Sequence, residues 1–291
     1  MSSNLKHPSI NALLLDANRG ESPEDVIRRK CRDIVYKSKK YGWIGPAFDP
    51  KILASIRGIK VKASDTLPHE GLLVPTTPHP VIYYNSTSIL ERQNFTICHE
   101  LAHTCFPDAY TCVRRFTESK DKFEKLCDIG AGELLMPYEE FSYDLNAAPL
   151  TLFLAYSLHK RYIASIEAVF YRIFDLVSHP VCPVYSSFSN GKYGGKFFKF
   201  NYVPKNKLFR EYVRDVNCPK NSVVYAATNI PIQYETLPKE TWWINGKPRS
   251  YYVESMLLPK IEVCNYSEVI TLLHAKNPIF NFRKQQIHDK S

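Results

Sequence analysis

Apolar positions recur along this chain with two different periods, and the change from one to the other divides it. From Ser22 to Leu176 they fall mostly three and four apart, the spacing of one helix face. Ile27, Cys31, Ile34 and Val35 predict a first long helix. Ser22 is its cap, Pro23 suits its first turn, and Glu24 and Asp25 favour the positive end of its dipole. Pro50 to Ile56 predicts a short second helix. Gly58 to Lys62 alternates with period two and predicts a strand, as do Gly71 to Val74 and Val81 to Tyr84. The last of these runs straight into a helix marked by Phe95, Cys98, Ala102 and Cys105 and stopped by Pro107. Ser88 followed by Glu91 has capping-box spacing for its start. Phe123, Cys127, Ala131 and Leu134 mark another helix from about Lys120 to Met136. Two more follow, Leu152 to Arg161 and Ser165 to Leu176, the second with Ser165 as cap and Ile166, Val169, Phe170 and Ile173 inward.

Beyond about His179 the period drops to two, with Pro180 and Pro183 at the boundary. Phe198, Phe200 and Tyr202 alternate with Lys199 and Asn201, a half-buried strand. Asn190-Gly191 and Asn245-Gly246 are turn signals. The second predicts a hairpin joining Thr241-Trp242-Trp243-Ile244 to Tyr251-Tyr252-Val253. Asn265 to His274 reads as a closing helix, and Phe280 to Ser291 as a polar, basic tail that frays. The fold class is α+β: a leader at 1–20, a domain of helices and a small sheet at 21–180, and a β-rich accessory domain at 181–291. The paired tryptophans and the tyrosines read first as a core of aromatic strands and second as a recognition surface.

The helix at 90–103 carries His99-Glu100-Leu101-Ala102-His103. Residues four apart share a helix face, with Cβ atoms roughly 5–6 Å apart. Two imidazoles so placed can reach one zinc ion at about 2.0–2.1 Å, and Glu100 beside them can take a proton from a metal-bound water. Catalytic zinc takes three protein ligands and leaves one position open. Glu124, on the helix that follows, is the candidate third ligand. Asp128, one turn further, is placed to accept the spare N–H of His99. Glu118 and Glu133 are rival ligands. Gly130, Ala131 and Gly132 are small enough to let the two helices approach closely.

Three segments together, Phe95 to His103, Glu124-x-x-Cys127-Asp128 and Ala131-x-x-Leu134-Leu135-Met136-Pro137, resemble the ImmA/IrrE family of metallopeptidases. The likeness spans about Ser22 to Val177. The Glu-x-x-x-Asp pair is also similar to that of the thermolysin-like gluzincins. The resemblance implies a zincin-like domain with His99, His103 and Glu124 on zinc and Glu100 as general base. It implies a cytoplasmic regulatory protease acting on a protein or peptide, with a helix-turn-helix transcriptional repressor as a candidate substrate. The strand leading into the His99 helix resembles one that borders the zincin cleft, where a substrate peptide can pair with an open edge. Arg172 resembles an arginine of the family's trailing helices. Three departures stand out: Ala102 for the usual glycine, Asp128 for asparagine, and Gly130 for phenylalanine. The first two leave the chemistry intact, and the third bears on local packing. Tyr110 and Tyr138 flank the motifs and are candidates for steadying an oxyanion.

Composition narrows the alternatives. With 44% hydrophobic residues the chain of 291 is globular in character. It has no apolar run of the length a membrane span needs, and Ala12 to Leu15 is too short for the apolar part of a signal peptide. Eight cysteines in a chain of this size do not make a disulfide scaffold; they point to a reducing cytoplasm. A net charge of +9 favours an acidic partner or nucleic acid, and Arg28, Arg29, Lys30, Arg32, Lys37, Lys39 and Lys40 crowd one segment, with Arg114-Arg115 elsewhere. No nucleic-acid motif accompanies them; the pair of helices before residue 177 is the nearest thing to a helix-turn-helix, and its second member is too apolar to lie free in a groove. The alternatives to a protease are a zinc-binding sensor or docking module, and a regulator that acts by binding DNA or a repressor.

Overall fold

The computed structural model describes residues 8–76, 78–109, 120–177, 181–190, 196–204, 215–227, 238–259 and 269–278. Contacts divide the chain into two compact units, Met1–Phe141 with Arg161–Ala164, and Ser142–Lys160 with Ser165–Ser291. The division falls before the change of period near residue 180, since the last two helices group with the strands that follow them. The class is α+β, as the two periods require. Among the described residues no helix is long and apolar enough to cross a membrane.

The first unit begins with helix α1 (Pro8–Leu14), in a segment expected to be a loose leader. Leu13 is fully buried, Ile10 nearly so, and Ser9 Oγ donates to Asp108 Oδ2 at 2.8 Å. One apolar turn is enough to dock the segment, and a window set by signal-peptide length passes over it. Helix α2 (Pro23–Lys40) starts where Ser22 and Asp25 form a reciprocal capping box. It buries Val26, Ile27, Cys31, Ile34 and Val35. Its basic residues are largely paired: Arg28 and Arg32 lie 3.7 and 3.5 Å from the buried Glu133, Arg29 meets Glu21, Lys30 meets Asp16, and Lys39 meets Glu139 and Glu140. Helix α3 (Pro50–Ile56) is capped by Asp49.

Strands β1 (Lys60–Ser64), β2 (Gly71–Val74) and β3 (Val81–Asn85) form a sheet in the order β1-β3-β2. β3 is parallel to β1 and antiparallel to β2. The strand expected to offer an open edge, β3, is therefore central, and the edge near the next helix belongs to β2. The burial explains the order: Val81, Ile82 and Tyr84 of β3 are buried, as suits a strand covered on both faces, while β2 is half-buried throughout.

Helix α4 (Leu90–His103) follows β3, and α5 (Lys120–Leu135) packs against both α4 and α2. The expected capping box at Ser88 does not form; the cap is Ile89, with no side-chain bond. Ser88 Oγ donates to Glu70 Oε2 instead, and Gln93 Nε2 reaches back to the carbonyls of Ser86 and Ser88. The α4–α5 contact turns on two of the departures noted above. A Cβ at Gly130 would lie 2.7 Å from the Ala102 Cβ and 3.1 Å from Cys31 Sγ. The methyl of Ala102 and the thiol of Cys31 thus occupy the space that a side chain at 130 would take.

In the second unit, α7 (Leu152–Tyr162) and α8 (Ile166–Leu176) follow α6 (Tyr138–Leu145), which crosses from the first unit. Ser165 caps α8, and its apolar face is buried as expected, together with Arg172. Strands β4 (Val181–Asn190), β5 (Lys196–Tyr202), β6 (Val216–Asn217), β7 (Lys239–Ile244), β8 (Lys247–Leu257) and β9 (Val269–His274) form one sheet in the order β5-β4-β9-β8-β7-β6. Every neighbouring pair described is antiparallel. The β7–β8 hairpin turns at Asn245 and Gly246, both at positive φ, as a two-residue turn of this hand requires. Trp242 is fully buried and donates to Glu240 Oε2, while Trp243 is partly exposed; the pair splits between core and surface because strand neighbours face opposite ways. The closing helix expected over Asn265 to His274 is corrected to a strand from Val269. All six β9 residues are buried between β4 and β8, and a fully buried run without alternation does not distinguish strand from helix by period. The expected turn at Gly191, the candidates Tyr110, Arg114, Arg115 and Glu118, and the tail from Phe280 lie outside the described residues.

The complementary sizes at 102 and 130 can be measured. Gly130→Ala should destabilise the chain by about 1–3 kcal/mol through overpacking. Adding Ala102→Gly should recover part of that loss despite the roughly 1 kcal/mol cost of a helical glycine. Denaturant unfolding of the four chains should give a favourable coupling between the two changes; strict additivity would mean that the positions do not touch.

Candidate metal centre

Helix α4 presents His99 and His103 on one face, and α5 presents Glu124 and Asp128 to them. His99 Nε2 lies 3.2 Å from His103 Nε2 and 3.1 Å from Glu124 Oε2. His103 Nε2 lies 3.6 Å from the same oxygen. These are the edges of a triangle. Ligands about 2.0–2.1 Å from a tetrahedral metal stand about 3.4 Å apart, so the three atoms have the spacing of one tetrahedral face.

Hydrogen bonding around the triangle favours a cation within it. His99 Nδ1 is 2.9 Å from Asp128 Oδ1. A carboxylate accepts only, so Nδ1 carries the hydrogen and a neutral His99 turns the lone pair of Nε2 inward. Glu124 Oε2 is a second acceptor aimed at the same point. Two acceptors that converge need a shared proton or a metal ion between them. The charges answer accordingly. Burial disfavours a charged His99, but Asp128 and Glu124 outweigh it and push its pKa up to about 9. His103 and His99 together hold the Glu124 carboxyl well below the usual carboxylate range.

A second carboxylate approaches without completing the triangle. One oxygen of Glu100 lies within 4.8 Å of the imidazole nitrogens. Its Oε2 accepts the backbone N–H of Leu73, on β2, at 2.9 Å. Glu100 is thus held beside the triangle and tied to the sheet, while Glu124, with the shorter contacts, is the third corner. The rival Glu133 is excluded by position: it is buried, faces Arg28 and Arg32, and accepts the N–H of Tyr138. Tyr138 lies under the Arg32 guanidinium, beyond the opposite end of α5 from Glu124.

Two partners were not foreseen from the residues. Cys127 Sγ lies 3.4 Å from His103 Nδ1. Burial, then the nearby carboxylates, push the Cys127 thiol well up, so it stays protonated; its sulfur accepts from the ring when Nδ1 carries the hydrogen, the tautomer that leaves Nε2 free for a metal. Its position gave a signal: on one helix face with Glu124, one residue before Asp128. The other is Leu73, whose role is carried by a backbone amide that no side-chain pattern reveals. Phe123 packs against the His103 ring at 5.1 Å and against Phe106 at 4.6 Å, closing the apolar side of the site.

Comparison with known proteins agrees with this geometry. No curated protein matches the chain. Among solved structures, a Mycobacterium tuberculosis transcriptional regulator matches at 17% identity, over 84% of this chain and 86% of its own, with a TM-score of 0.48; a likeness of that degree says nothing about activity. Residues 54–174 match the IrrE N-terminal-like domain, peptidase family M78. The match takes in β1 to α8 and with them the whole His99–Glu124 arrangement. A metallopeptidase family implies a metal, and the imidazole pair with its carboxylates is a group that could hold one. Over this segment, the chain is similar to the ImmA/IrrE family of metallopeptidase-type proteins.

Proposed function

We propose that this chain is a zinc-dependent metallo-endopeptidase, hydrolysing a peptide bond in a cytoplasmic regulatory protein, with a helix-turn-helix repressor as the candidate substrate. The reading rests on one observation above the rest: three donor atoms from two helices, 3.1–3.6 Å apart, with a further carboxylate held at their side. His99, His103 and Glu124 would hold the metal. A zinc ion there would supply Lewis-acid polarisation of the scissile carbonyl and a water of lowered pKa. Glu100 stands where its carboxylate can accept a proton from the attacking water and return it to the leaving amine. Asp128 accepts the Nδ1–H of His99, which fixes the tautomer and keeps Nε2 available. The family match supports this over a reading that needs no metal. A sensor that binds zinc and cleaves nothing shares every ligand, and the two part company only at Glu100.

The purified chain supplied with zinc should hold one equivalent, and His103→Ala should reduce that occupancy strongly. Glu100→Gln should keep the metal and lower cleavage at least about 10²-fold, at the lower end of a general base's contribution. Retention of the full cellular effect by that variant would sink the peptidase in favour of the sensor.

Proton competition gives a further test. A ligating His99 must be neutral, yet in the metal-free chain its pKa is near 9, so at neutral pH binding expels a proton. Apparent zinc affinity should therefore rise with pH, by up to about tenfold per unit for one proton, and level off above pH 9. Competition against a chelator of known affinity at several pH values reads the slope directly. Asp128→Asn should shift the rise to lower pH, since it removes one of the interactions that raise His99. A flat profile between pH 6 and 9 would place His99 outside the metal shell.

A further inference from the structure

The outward edge of β2 does something unusual for a sheet edge: it spends an amide on a side chain of α4. Asn85 N–H donates to Glu70 O at 2.8 Å, on the side of β3. Alternation then turns Leu72 and Val74 to β3 and sends the backbone groups of Gly71 and Leu73 the other way. On that outer side Leu73 N–H meets Glu100 Oε2 at 2.9 Å. Hydrogen bonds to a carboxylate are stronger than neutral ones and directional, so this contact fixes where the Glu100 carboxylate stands.

The contact exists because residue 71 has no side chain. A Cβ there would lie 2.4 Å from Thr96 Cγ2, 3.1 Å from Glu100 Cγ and 3.3 Å from Glu100 Oε1. The first distance is far inside van der Waals contact, and Thr96 is itself buried. Any side chain at 71 must therefore displace the Thr96 side chain or move β2 away from α4, carrying Leu73 with it. A glycine inside a strand often marks such a close backbone approach; here what it approaches is the general base.

We propose that Gly71 and Leu73 are positioning residues for Glu100: the bare backbone at 71 seats β2 on α4, and the Leu73 amide then holds the carboxylate in register with the metal ligands. The proposal builds on the peptidase reading and adds to it a sheet edge that sets the base. It also limits the substrate. A peptide pairing along this edge finds the Leu73 amide already occupied by Glu100, so any strand-like docking must be made through other backbone groups of β2.

The test uses the full zinc-loaded chain and four proteins: unmodified, Gly71→Ala, Thr96→Ser, and the double variant. Thr96→Ser removes the Cγ2 that the new methyl would strike. Hydrogen exchange at the Leu73 amide, followed by NMR, reads the contact without reference to cleavage. The unmodified chain and Thr96→Ser should protect this amide at least about tenfold more than Gly71→Ala. The double variant should regain much of the protection, and Glu100→Ala should lose it. Casein hydrolysis should follow the same order: kcat falls in Gly71→Ala, by as much as about 10²-fold for a misplacement near 1 Å, while KM and zinc content change little, and kcat recovers in the double variant. An amide equally protected with and without the Glu100 side chain overturns the proposal, as does an unchanged kcat in Gly71→Ala. Should the unmodified chain leave casein intact, the exchange rates alone decide whether this edge holds Glu100, independently of the peptidase reading.

Discussion

The seating of α5 on α4 is the contact from which the rest of the site follows. Neither helix carries the arrangement alone. Two imidazoles one turn apart give two donors, and the third comes only if the partner helix lies close enough for Glu124 to reach across. That closeness is set by Gly130, against the methyl of Ala102 and the thiol of Cys31. A helix contact with so little side chain between backbones is well defined in depth, which suits a site whose donor atoms must agree to within a few tenths of an ångström. Once α5 is placed, Asp128 falls behind His99 and Cys127 behind His103 without further adjustment.

How much of this could be read beforehand depends on what kind of atom carried each part. Side-chain motifs at helical spacing were legible: His99, Glu100 and His103 from one helix, Glu124 and Asp128 from the next, and all five meet. The capping of α2 by Ser22 and the turn at Asn245-Gly246 were legible for the same reason, since a local chemical requirement leaves a local mark. Parts that depend on burial rather than on spacing were not. β3 is central rather than an edge, and Val81-Ile82-Tyr83-Tyr84 is a continuous apolar run, the mark of a covered strand. β9 is a strand rather than a helix, and its run of buried residues has no period that separates the two. The hold on Glu100 comes from a backbone amide, and the sequence shows only the glycine that makes room for it.

Sheet and helix divide the labour at the site in a consistent way. Among the described residues, the helices supply the side chains that converge on the site, and the small sheet supplies orientation. An amide on an edge strand cannot change rotamer, so a carboxylate anchored to it loses freedom that a side-chain partner would have left in place. Phe106 and Phe123 add an apolar wall beside His103, where low polarity strengthens each of these contacts.

The crowding of positive residues on α2 has an electrostatic consequence of its own. Arg28 and Arg32 are turned to Glu133, Arg29 to Glu21, Lys30 to Asp16, and Lys39 to a pair of glutamates. Five cations that look available along the chain are thus neutralised within the molecule. A polyanion laid along this helix would have to break those pairs before its own counterions were displaced, and the entropy of that displacement is what drives most nucleic-acid association. Most of the densest basic stretch of the chain therefore serves as an internal clasp, binding α2 to its own surroundings.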